Sequence, residues 1–119
     1  MKTSYPTPGV VSVWIGNFAA EADFEKCVCG PVAIALGLSA PLSSVSEVAF
    51  EVRAVPVRDL IKGFSGWESF LDYAVLSAAK EGLDTANAAL VCYNVRCHDA
   101  PEALEKLYFL GNFPGQDVR

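Results

Sequence analysis

Three stretches of this chain are apolar at almost every position: residues 10–16, 88–95 and 107–113. They are short, rich in β-branched and aromatic side chains, and bounded by Gly, Asn and Pro, which reads as strand rather than helix. A half-exposed strand alternates apolar and polar residues, so a run without alternation fits a strand covered on both faces. The chain must therefore build a sheet with central strands and supply cover on each side. The first and last runs also echo each other. Ser12-Val13-Trp14-Ile15-Gly16-Asn17-Phe18 returns as Leu107-Tyr108-Phe109-Leu110-Gly111-Asn112-Phe113. In both, Gly-Asn tolerates the positive φ that other residues avoid and is expected to break the strand.

The rest of the chain supplies the cover. Residues 1–9, with Pro6, Pro8 and Gly9, read as a loose lead-in, and residues 114–119 as a polar tail. After Phe18, the spacing of Phe24, Cys27 and Val28 gives one buried helical stripe, with Glu21, Asp23 and Glu25 solvated near the helix start. Gly30-Pro31 should stop that helix and Pro31 start a short second one over 32–38, followed by a loop over 40–44. Residues 47–53 alternate. Val48, Phe50 and Val52 are expected inward and Glu47, Glu51 and Arg53 outward, on an edge strand ended by Pro56. A helical turn over 57–62 leads to the main helix, 66–82, where Ser65 and Glu68 have capping-box spacing and Gly82 is the stop. Its inward stripe is Trp67, Phe70, Leu71, Ala74, Val75 and Ala78. Ser69, Asp72, Tyr73, Leu76 and Lys80 fall on the outward side. Asp99 is placed to cap a turn at Pro101.

The expected fold is α+β, one domain over residues 1–119, with element order β-α-α-β-α-α-β-β. The sheet is expected to be four-stranded and mixed, with the main helix on one face. The last two strands, joined by a short link, are expected as antiparallel neighbours.

Chemistry is harder to find. No Gly-x-Ser-x-Gly elbow, phosphate loop or standard zinc-ribbon spacing occurs, and His98 beside Cys97 is poor geometry for a nucleophile and base. Glu21, Asp23 and Glu25 diverge around a helix rather than converge on a metal. No catalytic residue, metal or cofactor is assigned, and Cys27, Cys29, Cys92 and Cys97 read as reduced thiols. Nine basic against fourteen acidic residues give a net charge of −5, which argues against nucleic acid and suits a basic protein partner. At 52% hydrophobic the chain is no disordered tail, yet no run approaches the roughly 20 residues of a membrane helix, so a soluble, cytoplasmic protein is expected. Two other arrangements stay open. Asn17, Asn94 and Asn112 could line a ligand cleft, or a homodimer could cover one sheet face with its twin.

Val11-Ser12-Val13-Trp14-Ile15-Gly16-Asn17-Phe18, followed by an acidic helix carrying Phe24, resembles the opening of the bacterial immunity protein 22 family. The stretches Leu60-Ile61-Lys62-Gly63-Phe64-Ser65, Ala86-Asn87-Ala88-Ala89-Leu90-Val91-Cys92-Tyr93-Asn94 and residues 107–113 fit the same family in the same order. The chain departs from that pattern at Ala19-Ala20-Glu21-Ala22 and in the apolar Pro31-Val32-Ala33-Ile34-Ala35-Leu36. The resemblance implies an antitoxin of a polymorphic toxin system, which binds a cognate toxin and blocks it by occlusion. Candidate contact residues are then Glu21, Asp23 and Glu25 on the first helix and Glu68, Ser69, Asp72, Tyr73 and Leu76 on the main one. Trp14, Gly16, Asn17, Gly111 and Asn112 are architectural.

Overall fold

A computed structural model describes residues 4–32, 45–97, 103–104 and 106–115. Its frame is an antiparallel sheet of order β2-β3-β1-β5-β4. The strands are β1 (Ser4–Gly16), β2 (Ser46–Pro56), β3 (Thr85–Cys97), β4 (Ala103–Leu104) and β5 (Leu107–Pro114). The helices are α1 (Glu21–Cys27), α2 (Val57–Ile61) and α3 (Leu71–Lys80). The α+β class and the central placing of β1 and β3 agree with the sequence. The mixed sheet does not, because every pairing is antiparallel. Nor are β3 and β5 neighbours. Each pairs with β1, which lies between them, so the two run parallel without touching edges.

Both faces of β1 are buried, for the reason its unbroken apolar pattern implies. Val11, Val13 and Ile15 join Ala89, Val91 and Tyr93 of β3 beneath α2 and α3, whose Leu60, Ile61, Leu71 and Ala74 complete that layer. Trp14, pointing the other way, joins Leu90 and Cys92 under Phe24, Cys27 and Val28. The Trp14 ring lies 4.7 Å from that of Phe109 at 47°. Period two along the strand thus divides the chain into two cores, one per face.

The echoing Gly-Asn pairs do different jobs. At Gly16 β1 ends, and the backbone passes so near Lys106 that a Cβ would overlap its carbonyl oxygen. Gly111 instead lies within β5, which continues to Pro114. Val13 pairs with Gly111 but Trp14 with Phe109, so Leu110 is bulged out, and Gly111 takes a φ of 143° that favours glycine. The lead-in is not loose, since residues 4–9 belong to β1. Pro8 and Gly9 are absorbed by a wide bulge. Pro6 pairs with Val95 and Val11 with Tyr93, leaving four residues opposite Asn94. Gly9 (φ 79°) and Asn94 (φ 58°) both adopt left-handed backbone there, and Gly9 N–H donates to Asn94 Oδ1 at 3.0 Å. The tail begins tied as well, with Gly115 N–H donating to the Gly9 carbonyl at 3.0 Å.

Three other expectations change. Gly30-Pro31 does not stop the first helix, which widens into a π-turn over Val28–Val32. The short second helix, the loop at 40–44 and the turn at Asp99 and Pro101 lie outside the described residues. The main helix is shorter than 66–82. A 3₁₀ turn, Trp67–Ser69, precedes α3, and Phe70 between them has φ −129° and ψ −2°, outside helical values. Ser65 does not cap it. Its N–H and hydroxyl donate to Glu47 Oε1 and Oε2 at 2.8 and 2.6 Å. The C-terminus ends as expected: Gly82 N–H donates to the Ala79 carbonyl and Leu83 N–H to that of Ala78, the Schellman pattern, with Gly82 at φ 73°.

Glu47 explains a further inversion. Val48 is 55% and Val52 89% exposed, whereas Glu47 is half-buried. The edge position of β2 is as expected, but of its three inward candidates only Phe50 packs, 6.2 Å from the ring of Phe24. Glu47 is held by the hydroxyl of buried Tyr93, 2.8 Å from Oε1 and 2.9 Å from the Ser65 carbonyl. A hydrogen bond to a charged partner is worth more than a neutral one. Tyr93→Phe is therefore expected to lower unfolding free energy by roughly 1–3 kcal/mol in urea titration. An unchanged midpoint would mean the network contributes nothing.

Candidate functional site

The outward side of α3 carries two of the large apolar side chains exposed among the described residues, Tyr73 and Leu76. Four side chains at helical spacing, Phe70, Leu71, Ala74 and Ala78, hold its inner side in the core. That fixes the opposite side to carry Asp72, Leu76 and Lys80 into solvent. Leu76 is 63% exposed and Tyr73 53%. The helix runs along β5 in a definite register. The Tyr73 ring stacks on Phe113 at 6.2 Å and 12°, the Ser77 hydroxyl donates to the Leu110 carbonyl at 2.6 Å, and Glu81 flanks a small hollow with Tyr108. Tyr108, 44% exposed, therefore extends the apolar surface from the helix onto the strand. The spacing of the helix could not reveal this, because Tyr108 and Phe113 join it only through the sheet order.

Charge around this surface is mixed. Asp72 Oδ1 lies 3.4 Å from the Arg58 guanidinium, an exposed pair of little value to stability, and its charge is partly compensated. Lys62 sits 5.9 Å from the ring centre of Trp67. Glu68 is exposed, and half-buried Ser69 turns its hydroxyl back to the Gly66 carbonyl at 2.8 Å. The other expected contact set is remote. Glu21, Asp23 and Glu25 are all exposed, but α1 packs on the opposite face of the sheet from α3. The two sets do not form one patch.

The asparagines do not converge. β1 and β5 are antiparallel, so Asn17, past Gly16, and Asn112, paired with Ser12, lie at different levels of the sheet. Asn112 gives its amide to backbone, accepting from Cys97 N–H and donating to Cys97 O, both at 2.8 Å. Asn17 is exposed, and the chain after β1 is fixed instead by buried Asn87. Its side chain accepts from Phe18 N–H at 2.9 Å and donates to Phe18 O at 2.7 Å.

All four cysteines are unbridged, and only Cys29 is exposed. Among the described residues no three His, Cys, Asp or Glu side chains are grouped to hold a metal. Burial, reinforced by the neighbouring Cys97, pushes the Cys92 thiol up to about 12. Cys97 is also raised by burial. The Ser12 hydroxyl tempers both shifts from beside them, outside hydrogen-bond geometry. These are thiols at neutral pH, not thiolate nucleophiles. In native protein one thiol, Cys29, is expected to react rapidly with an aromatic disulfide reagent, and a second fast thiol would contradict this packing. The fold holds the Cys92 proton more tightly than the unfolded chain, whose value is 9.0. That contribution is complete below pH 9 and is lost as pH rises toward 12, so the unfolding midpoint should fall across that window.

No helix among the described residues is long and apolar enough to cross a membrane. No protein-family model, curated protein or solved structure matches this chain.

Proposed function

We propose that the protein is an immunity protein that binds and occludes a cognate bacterial toxin domain in the cytoplasm of the producing cell. The observation that carries this reading is the α3–β5 surface, where Leu76, Tyr73 and Tyr108 stand in solvent among charged side chains. Aromatic and aliphatic anchors inside a polar rim are the anatomy of a protein interface. The net charge of −5 would speed encounter with a basic toxin, and Glu68 is an exposed acid at the edge of this surface. Family resemblance in the Trp-Ile-Gly-Asn-Phe segment points the same way. The ligand-cleft reading loses its ground, because Asn94 and Asn112 are engaged with backbone.

The reading requires that a neighbouring gene encode a large protein with a C-terminal toxin domain, and co-expression with that domain tests the proposal. Restored growth and a co-purifying stoichiometric complex are expected. Continued toxicity without a complex would overturn it.

A further inference from the structure

Between α2 and α3 the surface keeps a hollow of about 120 Å³. Its walls are apolar: Pro56 at the end of β2, Val57 at the start of α2, Val75 and Ala79 on α3, and Leu83 in the turn that follows. Two exposed charged residues, Arg58 and Asp84, complete the lining. Backbone bonds fix these walls in place. Val57 N–H donates to the Asp84 carbonyl at 3.2 Å and Leu83 N–H to that of Ala78 at 2.8 Å, which pins the start of α2 to the end of α3. Leu76 and Ala79 are three residues apart and so are neighbours on the helix surface, and the hollow therefore adjoins the exposed side of α3.

We infer that this hollow seats one aliphatic side chain of a protein partner whose adjoining residue is lysine or arginine. Volume decides the first half. An apolar cavity of about 150 Å³ accepts benzene, so a leucine or isoleucine side chain suits this smaller space and an indole does not. Charge decides the second half. Arg58 already has an acid, since Asp72 Oδ1 lies 3.4 Å from its guanidinium. Asp84 has no ion pair among the described residues, so the unanswered charge at the hollow is negative. A basic residue beside the aliphatic one meets that charge, whereas an acidic one would have to take Arg58 from Asp72. Burial against apolar walls supplies affinity, and walls already held by backbone bonds need little ordering on binding. The choice of partner rests on the immunity reading, which makes it the cognate toxin. Leu76 then enters the toxin while a toxin side chain enters the hollow beside it, the pairing of anchors common at interface centres.

Amide spectra of the isotope-labelled full chain, titrated with the blocked dipeptides acetyl-Leu-Lys-amide and acetyl-Leu-Glu-amide, test this chemistry without the toxin. The lysine peptide should shift the signals of Val57, Val75, Ala79 and Leu83 at millimolar concentration, and the glutamate peptide should shift them less. Ala79→Leu fills the hollow with the protein's own side chain and should abolish those shifts, with circular dichroism unchanged because position 79 is exposed. Asp84→Asn should remove the preference for the lysine peptide. Against the toxin, Ala79→Leu should weaken binding by about tenfold or more, since an anchoring side chain is shut out. An absence of shifts at these residues, an equal response of the parent chain to both peptides, or a toxin complex indifferent to Ala79→Leu would overturn the inference. Selective peptide binding without any toxin complex would instead overturn the immunity reading and leave the preference of the hollow standing.

Discussion

Gly16→Ala is expected to move the urea unfolding midpoint well below that of the parent chain. The backbone at Gly16 is not left-handed, so alanine meets no conformational penalty there. In a permissive place the same change would stabilise by about 0.4–1 kcal/mol through the unfolded chain. Here the added Cβ overlaps the Lys106 carbonyl oxygen, a backbone atom that no side-chain rotation can remove. Gly16 pairs with Leu107 at the start of β5, so relief means displacing the segment that brings the chain back beside β1. Overpacking of this kind costs roughly 1–3 kcal/mol or more, against a total of about 5–15 for an ordinary domain. Urea unfolding followed by circular dichroism measures it. Gly82→Ala is the control. It has φ 73° but nothing within 4 Å of its Cβ, so it should lose only the smaller cost of strained backbone. A Gly16→Ala chain as stable as the parent would mean that β5 does not enter the sheet this closely.

On the proposed immunity function, Leu76→Asp combined with Tyr73→Ala is expected to weaken binding of the cognate toxin by about a hundredfold, as loss of a central apolar anchor does. Leu76 has no core contact to lose, so its replacement leaves stability nearly unchanged. Tyr73 stacks on Phe113, and its removal carries a modest packing cost that thermal unfolding would register separately. Titration calorimetry with the toxin domain that the co-expression test identifies gives the affinity. Asp72 is the poorer choice for a single charge reversal, because Arg58 already faces it. Undiminished affinity would move the contact to the α1 face, where Glu21, Asp23 and Glu25 are the next residues to reverse. The separation of the two sets across the sheet makes that result unambiguous.

What the sequence disclosed follows from which forces are local. The unbroken apolar runs of β1 and β3 report burial on two faces, a property of each strand alone, and both strands are central. The stripe of α3 and its Gly82 stop are local too. The reading of β2 went astray because alternation groups residues by face without saying which face is covered. Phe24, arriving from α1, covers Phe50 and leaves Val48 and Val52 in water. Tyr93, from β3, draws Glu47 inward. The same long-range bond network took Ser65 away from its capping box and shortened the main helix. Gly-Asn carried the same ambiguity. It ends β1 but only bulges β5, and the difference lies in the neighbouring strand rather than in the dipeptide. For the candidate surface, the outward phase of Tyr73 and Leu76 was legible, whereas Tyr108 and Phe113 needed the register of α3 on β5.

Asn87 makes the alignment of the two central strands self-checking. A slip of β1 along β3 by one residue would exchange the contents of the two cores, and a slip by two would keep each face apolar. Hydrophobicity alone therefore penalises the second error weakly. The Asn87 amide clasps both polar groups of Phe18, just beyond the end of β1, and only one alignment brings them to it. Displaced by two, Phe18 would meet Thr85 or Ala89, neither of which carries an amide that can bind N–H and C=O together. A single buried side chain thus supplies the discrimination that two long apolar strands lack, and it does so where the chain turns to begin α1.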